Sequence, residues 1–168
     1  MYLTPRFFAL WIALVLLIGL GYAVPLMFVV GRWMLGAFCL LLLLDMALLY
    51  HRTGIQAWRM MSERFSNGDD NEVDIRVESQ YPFSVRLQII DEIPPIFQRR
   101  DVLFKLRLLR REGKKVRYAL RPTVRGTYSF GHIRVFAQSP LGLLQRRFTV
   151  GTHCDVKVYP SYLMFTHY

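Results

Sequence analysis

The chain has 168 residues, of which 53% are hydrophobic and 20% charged, and its formal net charge is +10. The two properties are separated along the sequence, because residues 7–50 contain only two charged side chains, Arg32 and Asp45. This distribution excludes a freely soluble protein, a disordered chain and a disulfide scaffold, and it indicates a membrane segment followed by a soluble domain. Cys39 lies in the apolar run and Cys154 in the distal domain, so both are expected to be unpaired.

The apolar run at residues 1–50 is predicted to form two transmembrane helices. One helix over 44 residues would be about 66 Å long, roughly twice the ~30 Å thickness of the hydrocarbon core. Pro25 and the glycines before it interrupt the run near its middle. We therefore expect a helical hairpin with helices at about residues 7–22 and 27–50. A turn at residues 31–33 is the alternative, and it would shorten the second helix.

The positive charges predict the orientation of this hairpin. Arg6 precedes the first helix, and Arg52, Arg59 and Arg64 follow the second, whereas the connection contains only Arg32. Cytoplasmic flanks carry the excess of Lys and Arg, so both ends and the soluble domain should face the cytoplasm. The alternative is a cleaved N-terminal signal peptide, which would export the domain.

Asp45 is the one acid within the apolar run. An intramembrane carboxylate costs ~2.5–3.5 kcal/mol at a helix centre and is therefore a candidate for a proton path. Asp45 lies about 7.5 Å before the presumed end of the second helix at Tyr50, however. This position favours a carboxylate that reaches headgroup water or pairs with His51 or Arg52.

Residues 51–70 are predicted to form a juxtamembrane interfacial helix and a linker. Ile55, Trp58, Met61 and Phe65 have the spacing of one helical face. We expect this helix to tether the domain that follows.

Residues 71–160 are predicted to form an all-β sandwich of immunoglobulin-like type. From Val73 onward, apolar and polar residues alternate with the period of a half-buried strand, and Gly and Pro separate the runs. The residues at 111–114 are expected to join two of the strands in a hairpin. The predicted strands are residues 73–78, 83–89, 102–108, 116–120, 127–130, 133–137, 144–150 and 155–159.

Basic residues dominate the middle of this domain, with 14 Lys and Arg against two acids between positions 99 and 147. Those assigned to the outward side or the turn of the predicted hairpin should form one contiguous patch. They are Lys105, Arg107, Arg110, Arg111, Lys114, Lys115, Arg117 and Arg121. Anionic lipid, at ~1 kcal/mol per basic residue near the surface, or an acidic protein partner would fit such a patch. No nucleic-acid motif accompanies it, so no nucleic acid is expected.

No motif indicates catalysis. The sequence has no phosphate-binding loop, no dinucleotide fingerprint and no nucleophile elbow. His153, Cys154 and Asp155 are adjacent, but successive strand side chains point to opposite faces and cannot converge on one metal ion. We therefore predict no catalytic, metal or cofactor-binding residue and no small-molecule substrate. The alternative function is a cell-envelope enzyme, or a subunit of one, with its domain exported.

The segment LRPTVRGTYSFGHIRVFAQSPLGLL at residues 120–144, together with VKVYP at 156–160, resembles the bacterial family called domain of unknown function 58. The resemblance implies a multi-pass protein of the bacterial inner membrane that acts with a MoxR-type AAA ATPase in complex assembly. It also implies a von Willebrand factor A-like domain downstream, so residues 161–168 would begin a region that is missing here. The expected function is a noncatalytic, membrane-anchored scaffold whose cytoplasmic sandwich binds a protein partner.

Overall fold

The computed structural model describes residues 2–51, 54–97, 102–151 and 153–160. It has two helices, α1 (Pro5–Leu20) and α2 (Pro25–Tyr50), and a short 3₁₀ turn at Pro95–Phe97. The strands are β1 (Tyr2–Leu3), β2 (Ile55–Met61), β3 (Arg64–Ser66), β4 (Asn71–Ser79), β5 (Val85–Asp91), β6 (Val102–Leu108), β7 (Gly113–Leu120), β8 (Gly126–Phe130), β9 (Ile133–Gln138), β10 (Leu144–Val150) and β11 (Cys154–Tyr159). The region predicted to follow residue 160 lies outside the described residues.

Both helices begin with a proline at the first helical turn, where its missing N–H leaves no hydrogen bond unmade. They pack against each other, with the ring centroid of Phe38 5.5 Å from that of Phe7. Within the described residues, α2 is the one helix long and apolar enough to cross a membrane, and α1 is apolar but shorter. Since α2 is continuous through residues 31–33, the alternative turn position is wrong. A transmembrane hairpin stays a prediction.

The strands form three sheets around one hydrophobic core. Sheet 1 has the order β1-β10-β9-β5-β6, sheet 2 has β2-β4-β7, and sheet 3 has β3-β11-β8. All of the pairings are antiparallel except that of β3 with β11. The alternation predicted for residues 73–77 is confirmed, because Val73, Ile75 and Val77 are each 0% exposed. The prediction of an all-β, immunoglobulin-like sandwich is confirmed, with strand limits within three residues of those expected.

The predicted interfacial helix at residues 51–70 is wrong. Strand β2 pairs with β4 from Ile55 opposite Ser79 to Met61 opposite Val73, and β3 joins β11. The same residues also have a period of two, since Ile55 and Ala57 are buried on alternate positions of β2. Pairing with β4 satisfies the backbone groups of β2, and the sandwich therefore begins at Ile55.

The predicted hairpin between residues 102–108 and 116–120 is also wrong. Strand β6 is the edge of sheet 1 and pairs with β5, whereas β7 is the edge of sheet 2 and pairs with β4. Residues 109–112 cross from one sheet to the other. The inner faces of the two strands meet across the core, where the ring centroids of Phe104 and Tyr118 are 5.8 Å apart. The basic side chains of β6 and β7 consequently lie on opposite outer faces.

Candidate functional site

The junction between α2 and the sandwich is built around the carboxylate of Asp45, which is 0% exposed. One oxygen accepts a hydrogen bond from the hydroxyl of Ser139. The other accepts the backbone N–H groups of Leu143 and Leu144, at 3.1 and 2.8 Å. All three donors belong to residues 139–144, which comprise the connection between β9 and β10 and the first residue of β10 and which we call the junction loop.

These contacts correct the expected surroundings of Asp45. Its carboxylate is buried rather than in contact with headgroup water, and the hydrogen bonds described for it go to the junction loop rather than to His51. Arg52, the other partner considered, lies outside the described residues. A proton path through Asp45 stays a prediction.

The N-terminal residues hold the junction loop from its other side. The hydroxyl of Thr4 donates to the carbonyl of Gly142 at 2.6 Å, and the backbone N–H of Thr4 donates to the carbonyl of Leu143 at 3.1 Å. Strand β1 continues this contact by pairing with the start of β10. Gly142 has φ = +69°, a region that L side chains rarely adopt. This positive φ explains a glycine at this point of the loop, where a Cβ would also come within 2.7 Å of the mobile end of the Arg86 side chain.

A second attachment lies at the end of α2. The carbonyl of Leu49, one of the last four that a helix leaves without a backbone partner, accepts the Tyr81 hydroxyl at 2.8 Å and the Arg146 guanidinium at 2.6 Å. The positive charge of Arg146 also suits the negative end of the helix dipole. Burial raises the pKa of Tyr81, whose side chain is kept as a neutral donor at this position. Gly54 makes room for the Tyr81 ring, because a Cβ there would overlap it.

A buried ion pair links sheet 2 to sheet 1. The side chains of Arg59 on β2 and Asp91 on β5 are 6% and 0% exposed and form a two-point hydrogen-bonded pair. The Tyr118 hydroxyl donates to the same carboxylate, and burial together with the Asp91 charge raises the pKa of Tyr118 far above its usual range. Arg59 further donates to the carbonyl of Gly131 at 3.1 Å. These groups satisfy one another, so the geometry indicates a core cross-link.

Sequence reasoning missed this cross-link, although a signal existed. Asp91 continues the alternation of Val85, Leu87 and Ile89 and therefore belongs to the inner face of β5. An acid on an inner face requires a buried cation, since an unpaired buried charge is costly.

The predicted basic patch divides into groups. On the outer face of sheet 2, Lys115 and Arg117 pair with Asp74 at 2.6 and 2.8 Å, and Arg117 also pairs with Glu72 at 3.0 Å. Hydrogen bonds from Lys115 and Arg117 lower the pKa of Asp74, and that carboxylate in turn raises the pKa of Arg117. Arg121 donates to a backbone carbonyl, that of Gly68. Acids of β4 therefore neutralise much of this face.

The remaining basic residues lie on sheet 1 and at the crossing between the sheets. Lys105 and Arg107 line a groove of about 300 Å³ on the outer face of sheet 1, together with Arg86 of β5. We call these three residues the sheet-1 basic groove. None of them forms an ion pair with an acid in the part of the chain that the structure describes.

Arg110, Arg111 and Lys114 lie at or beside the 109–112 connection, where the Lys114 ammonium approaches the Glu112 carboxylate at 3.6 Å. The expectation that one hairpin face carries all eight residues is therefore wrong, although the Lys114 ammonium donates to the carbonyl of Arg107 at 3.0 Å and so joins two of the groups.

Groups of three or more potential metal ligands are absent from the residues that the structure describes. The rings of His132 and His153 contact each other at an interplanar angle of 60°, with their centroids 4.7 Å apart.

No protein-family model matches the chain, and no curated protein sequence matches it. Solved structures with a similar fold include a CARDB domain from Pyrococcus furiosus, with 14% identity, 62% of this chain and 87% of that chain covered, and a TM-score of 0.44. A PapD-like domain of human CEP192 is 11% identical, with 65% of this chain and 87% of that chain covered, and has a TM-score of 0.45. A cohesin module from Clostridium perfringens is 8% identical, with 66% of this chain and 100% of that chain covered, and has a TM-score of 0.44. The comparisons assign the chain to no family.

Proposed function

We propose that this protein is a noncatalytic, membrane-anchored scaffold that holds a protein partner at a fixed position on the cytoplasmic side of a bacterial inner membrane. The observation that carries the proposal is the burial of Asp45 against the junction loop. A binding domain on a flexible tether needs no such contact. A domain that positions a partner does, because its orientation has to be fixed relative to the membrane.

The attachments of α2 support this rigidity. Asp45 and Leu49 are one helical turn apart and bind two parts of the same interface, the junction loop and the side chains of Tyr81 and Arg146. Two contacts on one helix restrict both tilt and rotation of the sandwich. Thr4 adds a third contact from the segment before α1.

The N-terminal contacts support two membrane crossings. Strand β1 precedes α1 and pairs with β10, so both ends of the α1–α2 pair lie on the side of the sandwich. Two membrane crossings would place both ends of the helix pair on the same side of the membrane, as this contact requires. Cleavage of α1 as a signal peptide would remove Thr4 and β1 from the junction, which weighs against the exported alternative. The positive flanks at Arg6 and Arg64 favour the cytoplasm for that side.

The sheet-1 basic groove is the surface that we assign to the partner. Arg86 and Arg107 face each other directly across the β5–β6 ladder, and like charges in that arrangement are destabilising. An acidic surface bound there would relieve the repulsion. The opposite face already has its own acids at Asp74 and Glu72. The resemblance to domain of unknown function 58 suggests a MoxR-type AAA ATPase as the partner to test.

The partner assay compares two matched double variants of the full chain in bacterial membranes. Lys105→Gln with Arg107→Gln removes charge from the sheet-1 basic groove, and Lys115→Gln with Arg117→Gln removes the same charge from the neutralised face. We expect capture of the ATPase to fall about tenfold for the first pair and to remain near wild type for the second. Equal capture by both would contradict the assignment of this surface.

The orientation is tested separately with reporters fused after Tyr168. A fluorescent protein that folds only in the cytoplasm should be bright, and an alkaline phosphatase fusion should be inactive. The reverse result would exclude a cytoplasmic scaffold.

A further inference from the structure

A cavity of about 390 Å³ lies between the last turns of α2 and the base of the sandwich. One wall is the apolar side of the helix and the other consists of the Tyr81–Phe83 segment, while a histidine and an arginine supply the polar groups. The lining residues are Leu44, Ala47, Leu48, His51, Tyr81, Pro82, Phe83 and Arg111. This volume is within the ~300–1,000 Å³ range of small-molecule sites.

The backbone at Arg111 is an independent sign that this position has a special role. Its φ is +52°, and it is the one non-glycine residue with positive φ among those that the structure describes. Glycine or asparagine would adopt this conformation with less strain than arginine does. The backbone N–H of Arg111 donates to the carbonyl of Tyr81 at 3.3 Å, and this bond fixes the turn at the edge of the cavity.

The guanidinium of Arg111 has no acidic partner among the described residues. The adjacent acid, Glu112, accepts the backbone N–H of Leu109 at 2.6 Å and approaches Lys114 at 3.6 Å. A cation beside an apolar cavity is therefore available to an anionic ligand. The planar guanidinium suits phosphate in particular, because it can donate two parallel hydrogen bonds.

We propose that this cavity binds one anionic membrane phospholipid, with its phosphate at Arg111 and His51 and an acyl chain along Leu44 and Leu48. The inference depends on the membrane anchoring of α2 proposed above. A lipid fits better than a soluble anion because most of the lining is apolar. Leu44 is 48% exposed, so the cavity wall continues into the surface of α2 that would face the bilayer.

The test measures phospholipid retained by the purified full chain. The protein is reconstituted in nanodiscs of phosphatidylcholine with a minor share of phosphatidylglycerol, released into detergent and examined by native mass spectrometry. Arg111→Asn removes the charge and tolerates positive φ, and Arg110→Asn is the matched control, since Arg110 is exposed on the same turn but does not line the cavity. We expect bound phosphatidylglycerol to fall about tenfold in the first variant and to stay within about twofold of wild type in the second.

A second variant blocks the apolar part of the site. Leu48→Trp fills the cavity, and Leu40→Trp is its control, because Leu40 is 66% exposed on the same helix and lies outside this lining. Retention of phosphatidylglycerol should fall in Leu48→Trp and stay near the wild-type level in Leu40→Trp. Inorganic phosphate added to the lipid-loaded protein should displace no phosphatidylglycerol.

Three results would overturn the proposal. The first is unchanged phosphatidylglycerol retention in both Arg111→Asn and Leu48→Trp. The second is an equal loss of phosphatidylglycerol in Arg111→Asn and Arg110→Asn, which would indicate diffuse attraction. The third is displacement of the lipid by inorganic phosphate, which would indicate that the site binds a soluble anion. Carbonate extraction of bacterial membranes that contain the wild-type protein distinguishes failure of the lipid-site proposal from failure of the membrane anchoring. If the wild type resists extraction and a variant test fails, the lipid site alone is wrong.

Discussion

Substitution of Asp45 tests the attachment on which the proposed scaffold depends. In Asp45→Ala, the hydroxyl of Ser139 and the amides of Leu143 and Leu144 lose their shared acceptor. In Asp45→Asn, the side-chain oxygen can still accept both amides, while its NH₂ faces the Ser139 hydroxyl, whose oxygen can accept a hydrogen bond. The asparagine variant therefore loses the charge but keeps the number of hydrogen bonds.

The geometry gives an expected size for each effect. A buried donor left without an acceptor costs ~1–3 kcal/mol, and the three losses are not additive because they share one carboxylate. We expect Asp45→Ala to weaken the closed junction by about 3 kcal/mol or more, because three buried donors lose one charged acceptor and hydrogen bonds to charged groups contribute ~1.5–3 kcal/mol each. For Asp45→Asn, the loss of charge assistance alone should cost about 1–1.5 kcal/mol.

Amide hydrogen exchange at Leu143 and Leu144 measures this opening directly. Since each ~1.4 kcal/mol corresponds to a factor of ten, exchange should accelerate about tenfold in Asp45→Asn and at least about a hundredfold in Asp45→Ala. Asp155→Ala is the matched control, because Asp155 also accepts a serine hydroxyl, that of Ser129, but on the exposed surface. Its effect should stay within ~0.5 kcal/mol. Wild-type protection of both amides in Asp45→Ala would refute the reasoning.

Three further substitutions probe the packing and the core cross-link. Gly54→Ala forces a Cβ into the buried tyrosine ring at the junction and should cost ~1–3 kcal/mol in thermal unfolding, whereas Gly36→Ala, with no atom within 4 Å, should be neutral or stabilising. Asp91→Leu should lower the free energy of unfolding in denaturant by ~3–5 kcal/mol, because it leaves the buried charge of Arg59 uncompensated. Adding Arg59→Leu should recover part of this loss. If the effects of the two substitutions on the free energy of unfolding were purely additive, the prediction would be contradicted. Because the pKa of Tyr118 is raised in the folded state, its contribution to stability is complete below about pH 10 and is lost above it, so Tyr118→Phe should flatten the alkaline decline in unfolding free energy.

Local patterns predicted the strands well because burial of one face imposes a period of two. Strand β4 illustrates this, since its alternating Val and Ile residues are buried as expected. Strand β2 was missed because residues 55–65 fit both a helical and a strand period, and pairing with β4, which is a non-local contact, decides between them. The assignment of β6 and β7 to different sheets is likewise non-local, because a short polar connection is compatible with a hairpin and with a crossing between sheets.

The candidate site was harder to predict than the fold. Asp45 is separated from its donors by 94 to 99 positions, so no sequence window contains both. Among the predicted basic residues, the sequence identified those on outer faces but not their partners, since the acids that neutralise Lys115 and Arg117 lie on the neighbouring strand β4.

One regularity of α2 nevertheless accounts for the position of the acid. The inward residues of this helix recur at alternating intervals of four and three, and they are Gly31, Leu35, Phe38, Leu42, Asp45 and Leu49. The first part of this stripe meets α1, where apolar side chains and a glycine suffice because the facing helix satisfies its own backbone groups. At Asp45 the stripe passes beyond the N-terminal end of α1 and meets a loop with unpaired N–H groups. An apolar residue there would leave those donors buried and unsatisfied, so the stripe changes chemistry where its neighbour changes from helix to loop. On the adjacent side of the same turns, Leu44 and Leu48 remain apolar and line the cavity. The end of α2 thus has one face bonded to the sandwich and an adjacent apolar face that is available to the ligand proposed for the cavity.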